Sequence, residues 1–173
     1  MSAQLQLFKA LRPASTETKN EWYTPTRYIE AARETMGAID LDPASCAEAN
    51  EAVRAAKIFT IHDNGLMRHW SGRVWMNPPY SPTPQPWVDK LIVEYKHGAV
   101  TEAILLVPPK VDTTWFAPLF EYPICFANHR IKFWGQPGSS NTFGSAFVYI
   151  GKRPAKFYDA FAWVGPVMRK VER

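Results

Sequence analysis

The run RVWMNPPY, residues 73–80, decides how the rest of the chain is read. Arg73–Met76 has the apolar, β-favouring character of a short strand. Pro78 and Pro79 then fix the backbone and remove two N–H donors, so the strand stops there. A second run, Ala103–Val107 (AILLV), is apolar throughout and ends in Pro108-Pro109. A strand of that kind suits a sheet covered on both faces. Between the two runs Pro86 starts a predicted helix. Trp87, Val88, Leu91, Ile92 and Tyr95 form its apolar face, and Gly98 follows as a stop. Strand, helix and buried strand in that order make one crossover unit of a parallel sheet.

Working outward, Thr24-Pro25 reads as an N-cap and first helical residue. Tyr28, Ile29, Ala32 and Met36 follow at helical spacing, with Gly37 as the stop. A strand is expected at 38–41, leading into Asp42-Pro43-Ala44-Ser45. A helix over about 47–56, a strand at 57–61 and an Asp63-Asn64-Gly65 turn come next. Downstream, a helix is expected around 114–120, weakened by Pro118. Strand-like pieces lie at 123–126, 130–134 and 146–150, with QPGSSN (136–141) as a loop and a tail of no clear period.

The expected fold is α/β: a compact, trimmed sheet, mostly parallel, with an antiparallel C-terminal hairpin at one edge. Residues 1–20 are expected to be a loose arm and 21–173 a single domain. In such sheets ligands bind beyond the carboxyl ends of the strands. Asp42-Pro43 and Asn77-Pro78-Pro79-Tyr80 both fall at strand ends.

Composition removes other classes. Of 173 residues 46% are hydrophobic and 21% charged, as in globular domains. No apolar run has the roughly 18 residues of a membrane span. Cys46 and Cys125 are the only cysteines, and the four histidines show no metal-ligand spacing, so no metal is expected. The formal charge is +4, all of it from residues 102–173, where bases are interleaved with aromatics as in HRIKFW (129–134). That half suits a nucleic-acid strand, although +4 is also an ordinary surface charge.

The chemistry lies in Asn77-Pro78-Pro79-Tyr80. Two prolines leave carbonyl oxygens on a stiff turn, the Asn77 amide adds another acceptor, and Tyr80 adds a flat ring. Rigid acceptors beside an aromatic face suit an exocyclic amino group on a planar ring. Two acceptors can hold its two N–H bonds and aim the nitrogen lone pair at an electrophile, by positioning and electrostatics alone.

Here the sequence resembles the phage-type DNA N6-adenine methyltransferases. The resemblance rests on Glu21-Trp22-Tyr23-Thr24-Pro25, on Ile39-Asp40-Leu41-Asp42-Pro43-Ala44-Ser45, on Asp63-Asn64-Gly65-Leu66 and on Val74–Ser81, in matching order over about residues 20–150. The four-residue NPPY motif alone marks amino methyltransferases in general, including those acting on RNA or on protein glutamine. Its combination with the other segments is more specific.

The resemblance implies a Rossmann-like methyltransferase fold using S-adenosylmethionine. It makes Asn77, Pro78, Pro79 and Tyr80 the catalytic group, with Tyr80 stacking on a flipped adenine. Trp22, Thr24 and Pro25 would close over the methionine end of the cofactor. Asp40 or Asp42 would hold its ammonium group, beside Pro43 and Ala44, and Asp63 would read its ribose or adenine. Asn77 also counts among the cofactor contacts. Each has a plainer reading: a helix cap for the aspartates at 40 and 42, a core aromatic for Trp22, a turn for Asp63. The chain departs from the family in having Ala44, Ser45 and Cys46 where Phe and Gly are usual. Only 30 residues, 43–72, separate Asp42 from Arg73, room for one helix and one strand where larger relatives place two of each. A separate recognition domain is not expected, so DNA contacts fall to loops, with Lys110, Arg130 and Lys132 as candidate phosphate ligands.

The expected activity is methyl transfer to adenine N6 in DNA with base flipping. The alternatives are an enzyme acting on RNA or protein glutamine, and a catalytically dead nucleic-acid-binding protein of the same fold. The remaining expectations are a cytoplasmic location (in a bacterial host, if phage-encoded), no membrane partner, and a monomer or weak dimer. A role linked to restriction and modification is implied by the resemblance only.

Overall fold

The computed structural model describes residues 22–134 and 143–171. The expected loose arm at 1–20, Glu21 and the 136–141 loop lie outside the described residues. Helix α1 (Thr26–Met36) leads to β1 (Leu41–Asp42), α2 (Ala47–Val53) and β2 (Lys57–Ile58). A 3-10 turn at Gly65–Met67 precedes β3 (Gly72–Met76), α3 (Gln85–Lys96) and β4 (Val100–Val107). A second 3-10 turn at Ala117–Glu121 leads to β5 (Ile124–Phe126), β6 (Ala146–Ile150), α4 (Pro154–Phe161) and β7 (Val167–Met168).

The strands form one seven-stranded sheet in the order β2-β1-β3-β4-β6-β5-β7. The first four are parallel, and β6, β5 and β7 continue antiparallel. The sheet is therefore a mostly parallel core with an antiparallel edge, as expected. The span between Asp42 and β3 holds one helix and one two-residue strand.

Both faces are covered, which explains the uninterrupted apolar runs. Ile104 and Leu106 of β4, Trp75 of β3, and Phe147 and Tyr149 of β6 pack with Tyr28, Ile29 and Met36 of α1 and with Phe157 and Phe161 of α4. Their sheet neighbours Ala103, Leu105, Val74, Met76 and Val148 point the other way, onto Val88, Leu91 and Ile92 of α3. The period-2 alternation of strands thus feeds two cores rather than one.

Four local expectations are corrected. Thr24 does not cap α1. Pro25 holds the capping position with ψ near 140° and the helix begins at Thr26. The first strand starts at Leu41 rather than at residue 38. Residues 130–134 are not a strand: Ile131 is buried between exposed Arg130 and Lys132, but the segment pairs only through Trp134, which forms an isolated bridge with Tyr23. The tail holds α4 and β7. Pro154 at the head of α4 and the 157, 160, 161 spacing of its buried side chains are ordinary helix signals in hindsight.

Candidate active site

Because β1, β3 and β4 run parallel, their carboxyl ends share one edge of the sheet. Leu41 of β1 pairs with Val74 of β3, and Met76 of β3 pairs with Leu105 of β4. Asp42-Pro43 and Asn77-Pro78 therefore leave adjacent strands side by side.

The side chain of Asn77 is fixed on both atoms. Its Nδ2 donates to the Trp22 carbonyl at 2.9 Å and faces Thr24 Oγ1 at 3.4 Å. A carbonyl only accepts, so the amino side of the amide must face Trp22 and the oxygen must face the other way. There Oδ1 accepts from the Tyr80 hydroxyl at 2.7 Å. That hydroxyl also lies 3.4 Å from the Leu106 carbonyl of β4. Burial raises the Tyr80 pKa well above the ordinary phenol value, so the hydroxyl stays a donor. The Tyr80 ring itself is half-buried, Pro78 is buried and Pro79 exposed. An amide oxygen has two lone pairs, and one remains after the Tyr80 bond.

Residues 22–25 form a strap over this edge. Thr24 is buried, and Trp22 and Pro25 are half-buried. The Trp22 ring meets Phe133 edge-on at 5.8 Å. The strap is held to the 130–134 segment by two backbone bonds between Tyr23 and Trp134, at 3.0 and 3.1 Å. Its other side reaches the start of α2, where Cys46 Sγ lies 3.5 Å from the Tyr23 hydroxyl. Strap, Asp42 loop and Asn77 turn, with 17 positions from Pro25 to Asp42 and 35 from Asp42 to Asn77, thus meet at one place.

Asp42 is 3% exposed. Its Oδ1 accepts from the Ala44 N–H at 3.2 Å. Among the described residues no cation pairs with it. Burial pushes its pKa up to about 7. A buried carboxylate without a counter-ion is costly to keep ionised unless a positive group is brought to it. The adjoining turn is tight: a Cβ on Gly65 would lie 2.0 Å from the Pro43 carbonyl oxygen, so only glycine lets the two loops touch.

Asp40 does not join this cluster. Its two carboxylate oxygens meet Arg73 Nη2 at 2.7 Å and Nε at 2.8 Å, and Oδ2 also accepts the Arg73 backbone N–H at 2.8 Å. The Arg73 side-chain bonds hold its pKa low. The pair closes the opening of β1 onto that of β3, and of the two aspartates only Asp42 remains free for a ligand cation. Asp40→Asn should leave ligand affinity at the strand ends within twofold while lowering stability by about 1 kcal/mol. Paired thermal melts and calorimetric titrations would show the split.

Asp63 sits in the loop after β2. Its Oδ2 accepts from both the backbone and the hydroxyl of Thr60, each at 2.8 Å, which lowers its pKa. The turn reading accounts for both of those bonds. Lys110, Arg130 and Lys132 are all exposed. Lys110 follows β4 and lies 5.5 Å from the Phe143 ring centre. Arg130 and Lys132 flank buried Ile131 on the segment beside the strap. None of the three makes an ion pair among the described residues. Nor, among those residues, do three or more His, Cys, Asp or Glu side chains gather where they could hold a metal ion.

The contacts that sequence reasoning missed are made by backbone or by small groups. The Trp22 carbonyl, the Thr24 hydroxyl on Asn77, and the Tyr80 hydroxyl on Asn77 give no signal of their own in a sequence. Gly65 was visible only as a turn residue.

A family model described as DNA N-6-adenine-methyltransferase (Dam) matches residues 13–150. The match takes in the strap, the Asp42 loop and the Asn77 turn together. No curated protein matches the chain.

Proposed function

The chain belongs to the DNA N-6-adenine-methyltransferase (Dam) family, and from that premise we propose that it moves a methyl group from S-adenosylmethionine to N6 of an adenine drawn out of the DNA stack. The observation that carries this reading is the Asn77 amide, pinned by Trp22 and Thr24 so that its oxygen faces Tyr80. Its donor set fits the cofactor as well: an unpaired buried carboxylate at Asp42 for the ammonium group, with Trp22, Thr24 and Pro25 of the strap and Pro43 and Ala44 beside it. Asp63 lies beyond β2 on the same edge, with its Oδ1 outside the Thr60 bonds, for a ribose hydroxyl. When bound, S-adenosylmethionine supplies an electrophilic methyl group.

The chain's own residues act on the base. The N6 amino group is paired in duplex DNA, so the adenine must leave the stack to be reached. The half-buried ring of Tyr80 offers it a stacking surface. Asn77 Oδ1, through its remaining lone pair, and the Pro78 carbonyl accept the two N6–H bonds. That pulls the amino group out of conjugation and leaves its lone pair available for attack. Methylation makes the nitrogen acidic, and the proton passes to water. No strong base is needed, and Tyr80, kept protonated by burial, is not one.

Cofactor binding tests the first half of the reading. Titration calorimetry should detect S-adenosylmethionine and its demethylated product. At 100 times its dissociation constant the cofactor should stabilise the fold by about 2.7 kcal/mol. Absence of binding by both compounds would remove the proposal.

A further inference from the structure

A second cluster lies further along the same edge of the sheet, outside the groups used above. β5 is antiparallel to β6, as β4 is, so β5 ends on the edge where β1, β3 and β4 end. The segment after it carries Asn128 and His129. The turn before β7 returns to the same place, through bonds from Phe126 N to Pro166 O (3.1 Å) and from Asn128 N to Val164 O (3.1 Å). Arg27, two residues beyond the strap, completes the group.

These side chains are held in a set arrangement. Arg27 Nη2 donates to the Tyr28 hydroxyl at 2.6 Å. That hydroxyl lies 2.8 Å from His129 Nε2, and His129 Nδ1 lies 2.9 Å from Asn128 Oδ1. The pattern that satisfies every atom has Tyr28 donating to His129, and His129 donating to Asn128. Trp163 stacks on the fully buried Tyr28 ring at 5.1 Å, with the Arg27 guanidinium 5.2 Å from its own ring centre. It still keeps 46% of its surface exposed. Arg27 is exposed and has no carboxylate partner among the described residues.

An exposed indole with an unpaired guanidinium beside it, both fixed by a buried tyrosine, is a surface for a base and a phosphate. Arg130, one residue past His129, and Lys132 are exposed cations without an ion pair among the described residues. Trp163 sits beside His129 (6.4 Å between ring centres) at the end of β5, three strand steps of about 4.8 Å from β3, so the indole lies about 14 Å from the Asn77 turn. That is too far to touch the target base. It corresponds to about four base steps along DNA at roughly 3.4 Å each.

We propose that Trp163 and Arg27 form a platform for the DNA strand a few nucleotides from the target, with the indole stacking on a base and the guanidinium on a phosphate. The inference rests on the reading of function above for its choice of ligand. It makes these residues DNA-positioning groups with no part in the chemistry.

The test uses the full chain and long mixed-sequence DNA. Trp163→Ala should weaken DNA binding by about 5- to 150-fold, the range of base–aromatic stacking. Trp163→Phe should keep most of the affinity. Arg27→Gln should reduce the slope of log affinity against log salt by about 1. S-adenosylmethionine affinity and kcat at saturating DNA should stay at parent values, whereas Trp163→Ala, which loses its stacking on Tyr28, should melt a few degrees lower. Parent-level DNA affinity and salt slope in Trp163→Ala and Arg27→Gln would overturn the platform, as would an equal loss in Trp163→Phe and Trp163→Ala. Mobility-shift binding needs no turnover, so the two readings separate. A parent that binds DNA through these residues but transfers no methyl group keeps the platform and loses the function. A parent that methylates DNA while the variants bind normally loses the platform alone.

Discussion

Asn77→Ala should lower methyl transfer by about 100- to 1000-fold, the usual cost of removing one fixed polar contact to a reacting group. The side chain contributes the acceptor for one N6–H bond, and that bond matters most when the lone pair is committed to attack. The loss should therefore fall on kcat. A smaller loss in cofactor affinity should accompany it, because Asn77 Nδ2 also ties the strap through the Trp22 carbonyl at 2.9 Å. One such bond is worth about 1 kcal/mol, or roughly fivefold. Tyr80→Phe removes the 2.7 Å bond that steadies Asn77 Oδ1 and should cost a further several-fold in kcat while keeping the ring. Single-turnover rates and calorimetry on the same preparations would separate the two effects. A cofactor loss as large as the rate loss would mean that Asn77 serves the strap rather than the base.

Asp42→Asn should weaken S-adenosylmethionine binding and, without cofactor, stabilise the protein. Both follow from a carboxyl whose pKa burial raises from 3.8 to about 7. A group with a raised folded-state pKa binds protons better in the native state, so native stability falls as pH rises from about 4 to about 7. At 1.36 kcal/mol per pH unit the slope accumulates to about 4 kcal/mol at most. Asparagine at this position keeps the shape and removes the slope. A bound ammonium group needs the ionised carboxylate, so cofactor affinity in the parent should rise roughly five- to tenfold between pH 6 and pH 7.5. An α-amino group, with a pKa of about 7.7–8.0, keeps most of its proton across that window. Denaturant melts and titrations across it should show a flat profile for the variant. A parent affinity that does not change with pH would place the ammonium group elsewhere.

Much of the parallel core was legible because its signals are local. RVWM and AILLV are short apolar runs stopped by paired prolines, and the α3 face follows from helical spacing. The antiparallel end was harder. Arg130–Trp134 alternates like a strand but has a neighbour only at Trp134, and no alternation pattern can tell whether a partner exists. α4 was missed although Pro154 and Phe157 signal it, because the tail is too short for periodicity to stand out. At the site, residue types located the three segments, while their junction could not be read. The Asn77 amide is oriented by a main-chain carbonyl, which every residue has. Likewise Asp40 and Asp42 are equivalent in sequence, and only the position of Arg73 assigns one to an ion pair and leaves the other unpaired.

The most direct measurement is transfer of a labelled methyl group from S-adenosylmethionine to long mixed-sequence DNA, followed by enzymatic digestion and mass analysis of the nucleosides. The account predicts label in N6-methyldeoxyadenosine, in amounts that fall with Asn77→Ala and persist with Asp40→Asn. Label in any other nucleoside, label in RNA or protein but not in DNA, or no transfer by a preparation that binds the cofactor would contradict it.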